Sequence, residues 1–126
     1  MNYPIIEDIK AYKGSTFDFS FTFVDKDTGD PVDITILDNI KLRIKKLFNL
    51  SIEDGTLSIE NSNKLVGRID AEDMKVAKRT YYYDIKITES NGWVTAVTAG
   101  KFTVINSSSN QHETSHNITL EIKPFT

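Results

Sequence analysis

Two alternating segments joined at Asn91-Gly92, within residues 80–105, constrain the fold of this chain more than any other feature. The apolar side chains of the first segment recur at every second position, at Tyr81, Tyr83, Ile85 and Ile87. This is the period of a half-buried β-strand, in which Tyr82 alone interrupts the polar side. Asn-Gly suits the type I′ turn of a hairpin, so we expect the segment that begins at Trp93 to fold back antiparallel.

Length and composition limit the number of domains and the class of protein. The chain has 126 residues, no cysteine and a net charge of -3. This length fits one domain with its own core, without disulfides. The acidic balance argues against a general nucleic-acid or anionic-membrane binder, because such binding needs a surplus of Lys and Arg. Since no apolar run approaches the ~20 residues that cross a bilayer, and the N-terminus does not resemble a signal peptide, we expect a soluble protein made in a cytoplasm.

Several other segments also alternate. Residues 5–12 indicate a weak first strand, and residues 50–52, 56–60 and 64–69 indicate short ones. A strand with four aromatic rings on one side is predicted at Phe17, Phe19, Phe21 and Phe23, and one with an apolar side at Ile40, Leu42 and Ile44. Residues 25–31 are dense in turn formers. Short strands with regular turn signals predict an all-β fold, a two-sheet antiparallel sandwich.

One short helix is expected at residues 70–78. Asp70 can cap it, acidic residues occupy its first turn, and lysines lie near its end, as the helix dipole favours. Met74 and Ala77 would share one face and cover the core, with Val76 beside them. About two turns are predicted, as a lid across one end of the sandwich.

A series of strand and turn motifs carries a resemblance. They are Lys13-Gly-Ser-Thr-Phe, Asp27-x-Gly-Asp-Pro-Val-Asp-Ile-Thr, Gly67-x-Ile-Asp-Ala-Glu-Asp, Tyr81-Tyr-Tyr-Asp-Ile-Lys-Ile, Asn91-Gly-Trp-Val and Gly100-Lys-Phe-Thr-Val. In this order the chain resembles the immunoglobulin-like domain at the N-terminus of phage baseplate upper proteins, over roughly residues 9–106. Where such domains often have Leu-Pro-x-Gly-x-Tyr, this sequence has Ala77-Lys-Arg-Thr-Tyr. The family pattern does not account for residues 106–126.

The tail contains His112-Glu-Thr-Ser-His116, which matches the zinc-protease motif H-E-x-x-H. That chemistry needs a helix to bring both imidazoles to one face. Here a Ser/Asn-rich stretch precedes the motif, a strand-like segment follows it, and no third histidine exists in the chain. We therefore interpret residues 107–116 as a polar linker and expect no metal, no cofactor and no catalytic residue.

Three further patterns can each be interpreted either as a binding site or as an ordinary structural feature. The segment that begins at Asp25 resembles the start of a calcium loop, but Gly29 and Asp30 stand where a ligand and the glycine belong, so a hairpin turn is expected. A basic row from Lys41 to Lys46 is interpreted as a solvated strand face. Tyr82 and Trp93 are the possible exposed aromatics of a sugar platform or a protein interface.

The sequence thus predicts a β-sandwich in residues 1–106, followed by a linker and an assembly strand in residues 107–126. The resemblance implies a structural component of a tailed-phage virion, in the baseplate, the tail or the head. It would bind neighbouring virion proteins, form a homo-oligomer, and bind neither nucleic acid nor membrane. The alternative is an extracellular adhesion or carbohydrate-binding module. Partner-binding candidates are Tyr82, Trp93, Ile118, Leu120, Ile122 and Phe125.

The end of the chain allows two arrangements. Residues 118–125 alternate as a half-buried strand does, yet they follow the strand that should close the sandwich. The apolar side of this strand needs cover, which the exposed sheet edge of another subunit or virion protein would supply. The other arrangement is that the strand folds back onto the edge of its own domain.

Overall fold

A computed structural model describes residues 3–76, 78–106 and 115–125, and it has an all-β fold with two mixed sheets around one core. Sheet 1 contains β1 (Ile5–Ile6), β2 (Ile9–Tyr12), β4 (Asn39–Ile44), β5 (Phe48–Ser51), β8 (Thr80–Thr88) and β9 (Val94–Ile105). Sheet 2 contains β3 (Phe17–Asp25), β6 (Leu57–Glu60), β7 (Lys64–Ile69) and β10 (Ser115–Ile122). This arrangement is consistent with the predicted β-sandwich.

The order of strands in sheet 1 is β1-β9-β8-β4-β5, with β2 also paired to β9, and the order in sheet 2 is β10-β3-β7-β6. The prediction of a wholly antiparallel sandwich is wrong, because β1 and β2 run parallel to β9 and β10 runs parallel to β3. In the part of the chain that the structure describes, no helix is long and apolar enough to cross a membrane.

The core is built by the period-two strands. All four rings of β3 are buried, as the alternation predicted, and Phe21 and Phe23 are 0% exposed. Tyr81 and Tyr83 of β8 are buried while Tyr82 between them is exposed. The inward side chains of β4, at Ile40, Leu42 and Ile44, are buried as well.

The predicted helix at residues 70–78 is wrong. The N–H of Met74 donates to the carbonyl of Asp70 at 3.1 Å, which closes a single turn. The carbonyl of Met74 then accepts a hydrogen bond from the N–H of Gly14 at 3.0 Å, whereas in a continuing helix it would accept from a residue four positions later. Met74 is fully buried, so this turn still covers the core. Ala77 lies outside the described residues.

The hairpin at Asn91-Gly92 has the predicted antiparallel strands but a different turn. Gly92 has a φ of 92°, whereas Asn91 keeps a negative φ, so the type I′ prediction is wrong. The N–H of Gly92 donates to the carbonyl of Glu89 at 2.8 Å, and the N–H of Glu89 donates to the carbonyl of Trp93 at 2.9 Å. This is a three-residue loop with a glycine bulge. Because the side chain of Asn91 accepts the N–H of Trp93, a local bond holds the loop.

The C-terminal strand lies in its own sandwich. β10 pairs with β3 over eight residues, from Ser115 opposite Asp18 to Ile122 opposite Asp25. Its apolar side chains enter the core and are 7%, 0% and 0% exposed, at Ile118, Leu120 and Ile122. Phe125 is partly buried against the same core. The structure therefore has the second arrangement, in which this strand covers the edge of its own domain.

Candidate binding face on sheet 1

The register of sheet 1 gathers basic side chains on the face that is turned away from the core. β4 presents Lys41 and Arg43, and Lys45 continues the row just after β4 ends. β8 adds Lys86 directly opposite Lys41, and β9 adds Lys101 directly opposite Tyr82. All five basic residues are exposed, and we call them the basic face: Lys41, Arg43, Lys45, Lys86 and Lys101.

One of the five basic residues of the basic face forms an ion pair in the part of the chain that the structure describes. Arg43 forms an ion pair with Asp84 at 3.3 Å. Among the described residues, the four lysines of the face form no ion pair. Lys41 and Lys86 stand directly opposite each other on neighbouring strands, an arrangement that is unfavourable for like charges. An acidic group placed over this pair would reduce the repulsion.

Two recesses bring apolar groups onto the same face. A groove of about 520 Å³ crosses β4, β5, β8 and β9, and its lining includes Leu50 and the exposed Val94. Glu53, Asp54 and Asp84 line the same groove beside Lys41 and Lys86. A second recess of about 390 Å³ lies between the N-terminal segment and β8, and Ile6 and Tyr82 line it at 65% and 59% exposure. Exposed apolar groups surrounded by charged residues are typical of protein-binding surfaces.

A tight contact fixes the N-terminal segment beside Tyr82. The predicted strand at residues 5–12 is divided into β1 and β2, and the carbonyl of Glu7 between them accepts a hydrogen bond from the hydroxyl of Tyr83 at 2.6 Å. Burial raises the pKa of Tyr83 to about 12, so this hydroxyl remains a donor at neutral pH. Gly100 allows the approach, since a Cβ there would overlap the carbonyl of Glu7. Ile6 is held at the recess as a result.

Tyr82 and Trp93 do not form a common aromatic platform. Both are exposed, Trp93 to 69%. However, Tyr82 lies opposite Lys101 near the start of β8, whereas Trp93 precedes Val94, which lies opposite the last residue of β8. Six strand residues separate these points, a distance of about 20 Å. A single sugar ring could not stack on both, so the two side chains do not form one stacking platform.

The other predicted partner-binding residues lie elsewhere. Ile118, Leu120 and Ile122 are in the core, and Phe125 packs against it. Of the six candidates, Tyr82 and Trp93 are the two that the structure places at the surface, and Tyr82 is the one on the basic face.

The structure places His116 of the H-E-x-x-H motif in a strand. The prediction that His116 belongs to the linker is wrong, because this residue lies in β10 opposite Phe19 and its ring is 6.3 Å from that of Phe17. Burial lowers its pKa, so the neutral imidazole is favoured in the fold. His112 lies outside the described residues. Because His116 is extended rather than helical, it lacks the geometry that this zinc motif requires.

The calcium-like segment forms the expected turn. The N–H of Asp25 donates to the carbonyl of Asp30 at 2.8 Å, and the carboxylate of Asp25 accepts the N–H of Asp27 at 2.8 Å. Within residues 3–76, 78–106 and 115–125, no group of three or more His, Cys, Asp or Glu side chains is placed to hold a metal ion.

Sequence reasoning identified only part of the basic face. It noted the row on β4, but it did not join Lys86 and Lys101 to this row, and it did not single out Ile6. The alternation of β8 does place Lys86 and Tyr82 on one side. Alternation within one strand does not reveal which strands pair with each other, so the sequence alone could not place these side chains on one surface.

Comparison of the chain with protein-family models and with curated proteins finds no match. The surface chemistry of sheet 1 and the order of the strands are the features of this chain that bear on its function.

Proposed function

We propose that this protein is a structural component of a tailed-phage particle, in the baseplate, the tail or the head, and that it binds neighbouring virion proteins without catalysing a reaction. The basic face of sheet 1 is the observation that carries this proposal. It combines lysines that form no ion pair with any described residue and the apolar recess at Ile6 and Tyr82. Such a combination suits a polypeptide partner, which offers both acidic and apolar groups.

The strand order supports an immunoglobulin-like sandwich as the scaffold. In such folds one sheet has the order A-B-E-D, and the other contains C, F and G with further C-type strands at its edge. The order β10-β3-β7-β6 fits the first sheet if β10 takes the place of strand A. The order β9-β8-β4-β5 fits the second. This chain departs from the usual pattern because β10 is parallel to β3 and comes from the C-terminus.

The fold suggests how such a component would act. Strands anchored by a close-packed core move little, so the side chains on sheet 1 keep fixed positions relative to one another. A preorganised surface loses little entropy when a partner binds. The protein would then work by rigid positioning, with its binding energy concentrated around Tyr82 and Ile6.

The presence of the chain in purified phage particles tests the proposed virion role. Phage should be purified from a host that carries the gene, and their proteins identified by mass spectrometry. We expect the chain in particles at a constant ratio to the major structural proteins. A chain that is expressed in the lysate but absent from purified particles would exclude a virion role.

A second experiment tests whether the basic face binds the neighbouring virion proteins. With Lys41→Glu and Lys86→Glu in the phage genome, we expect particles that lack the chain or assemble poorly, because the charge of the face is reversed. The matched control is Lys13→Glu with Lys78→Glu, which makes the same charge change at exposed positions outside the face. Equal incorporation of both variants would show that the face does not hold the protein in the particle.

A further inference from the structure

The positive charge of the basic face is balanced elsewhere in the same molecule. The chain has a net charge of -3, although the basic face with Asp84 carries five positive charges and one negative. The remaining surface is therefore strongly acidic. Much of this charge lies in three turn segments, residues 25–38, 52–56 and 89–93, which hold eight carboxylates and one lysine.

These three segments meet at one end of the sandwich, which we call the acidic end. The N–H of Asp38 donates to the carbonyl of Thr88 at 2.8 Å, which joins the first segment to the strand end that precedes the third. The N–H of Glu53 donates to the side chain of Asn39 at 3.2 Å, which joins the second segment to the start of β4. Trp93 projects from the same end at 69% exposure. The acidic end thus combines carboxylates with one large apolar group.

We propose that the acidic end of one copy docks on the basic face of the next, so that copies of this chain associate head to tail. This inference rests on the proposed function and names a second copy as the partner of the same face. Glu53 and Asp54 border Lys41 and Lys86 within one copy, so the acidic end adjoins the basic face. Carboxylates of residues 25–38 and 89–93 from the next copy would add to this contact over the lysines of the face. Trp93 would add apolar and cation–π contact with the lysines.

The size of the face is sufficient for such contact. Four strands with about 4.8 Å between neighbours give a width near 20 Å, and nine residues of β8 give a length near 30 Å. The resulting area is about 600 Å², close to the ~800 Å² that each partner contributes to a standard interface. Since the two contacting surfaces differ, repetition gives a ring or an open filament.

The inference is tested on the purified full-length protein by sedimentation velocity. We expect association at about 0.05 M salt and monomers at about 0.5 M, because screening weakens contacts between exposed charges. Reversal of the face by Lys41→Glu with Lys86→Glu, or of the acidic end by Asp30→Lys with Glu89→Lys, should weaken association at low salt by at least about tenfold. The chain with all four changes should associate again, because its two surfaces are complementary once more.

The control is the pair Lys13→Glu with Lys78→Glu, which should associate as the wild type does. Trp93 is the single tryptophan of the chain, so its fluorescence gives an independent reading of contact at the acidic end. A protein that stays monomeric at low salt would overturn the inference, and so would a four-fold variant that fails to recover. Binding of single-stranded or duplex DNA to the face without self-association would assign the face to a nucleic-acid partner and also overturn it.

The outcomes separate this inference from the proposed function. A monomeric protein that is nevertheless found in purified particles would leave the virion role intact and assign the face to a different protein. A self-associating protein that is absent from particles would sustain the head-to-tail contact and refute the virion role.

Discussion

Replacement of Leu120 by alanine tests whether the C-terminal strand is part of the fold. Leu120 is 0% exposed and lies opposite Phe23 in the β10–β3 ladder. Loss of a fully buried leucine side chain removes its transfer free energy and leaves a cavity, which together cost about 3 kcal/mol. For 126 residues the entropy of unfolding is about 0.26 kcal/mol per kelvin, so the melting temperature should fall by about 11 °C.

The assay is thermal and urea unfolding followed by circular dichroism, with Thr119→Ala as the matched control. Thr119 is exposed on the same strand, and its replacement should change the free energy of unfolding by less than about 0.5 kcal/mol. The urea dependence should stay the same if both variants keep the wild-type fold. A Leu120→Ala protein that melts with the wild type would refute the packing of β10 into its own core.

Truncation after Asn106 extends the same reasoning. It removes the three buried side chains of β10, each of which contributes about 1.5–3 kcal/mol when buried. The sum is comparable with the whole stability of about 5–15 kcal/mol that is usual for a domain. We therefore expect the truncated chain to be unfolded or close to its midpoint at 25 °C. A truncated chain with wild-type stability would instead favour a strand that works between molecules.

Three smaller predictions concern the packing below the basic face and at β10. Gly100→Ala should destabilise the fold by about 1–3 kcal/mol in urea unfolding, because its Cβ would overlap the carbonyl of Glu7. Tyr83→Phe should cost about 1 kcal/mol at neutral pH, since the hydrogen bond to that carbonyl is lost. Because the pKa of Tyr83 is raised in the fold, its protonated hydroxyl contributes stability that is complete below pH 10 and is lost towards pH 12. Across this range the free energy of unfolding should fall more for the wild type than for Tyr83→Phe. Because the pKa of His116 is lowered, its effect on stability runs in the opposite direction with pH. The free energy of unfolding should fall as the pH drops below about 6.5, and His116→Gln should reduce that fall in acid titrations.

Alternation was sufficient to predict the core strands but not the short connections. The four rings of β3 and the buried tyrosines of β8 follow from period two alone, because successive side chains of a strand point to opposite faces. The segment after Asp70 has the capping and charge pattern of a helix. The carbonyl of Met74, which a longer helix would use, instead accepts the N–H of the distant Gly14, and local propensity does not reveal this contact.

The sequence by itself determined which side chains share a face, because that depends only on the geometry of one strand. It also determined where the chain turns, since Gly and Asn permit backbone angles that other residues avoid. The tertiary structure decided which strands are neighbours. It placed Lys86 opposite Lys41, and it placed β10 against β3 across nearly a hundred residues of chain. The attraction between apolar surfaces has no direction, so the alternation of β10 fits any uncovered edge, and only the packing of the whole domain selects its own.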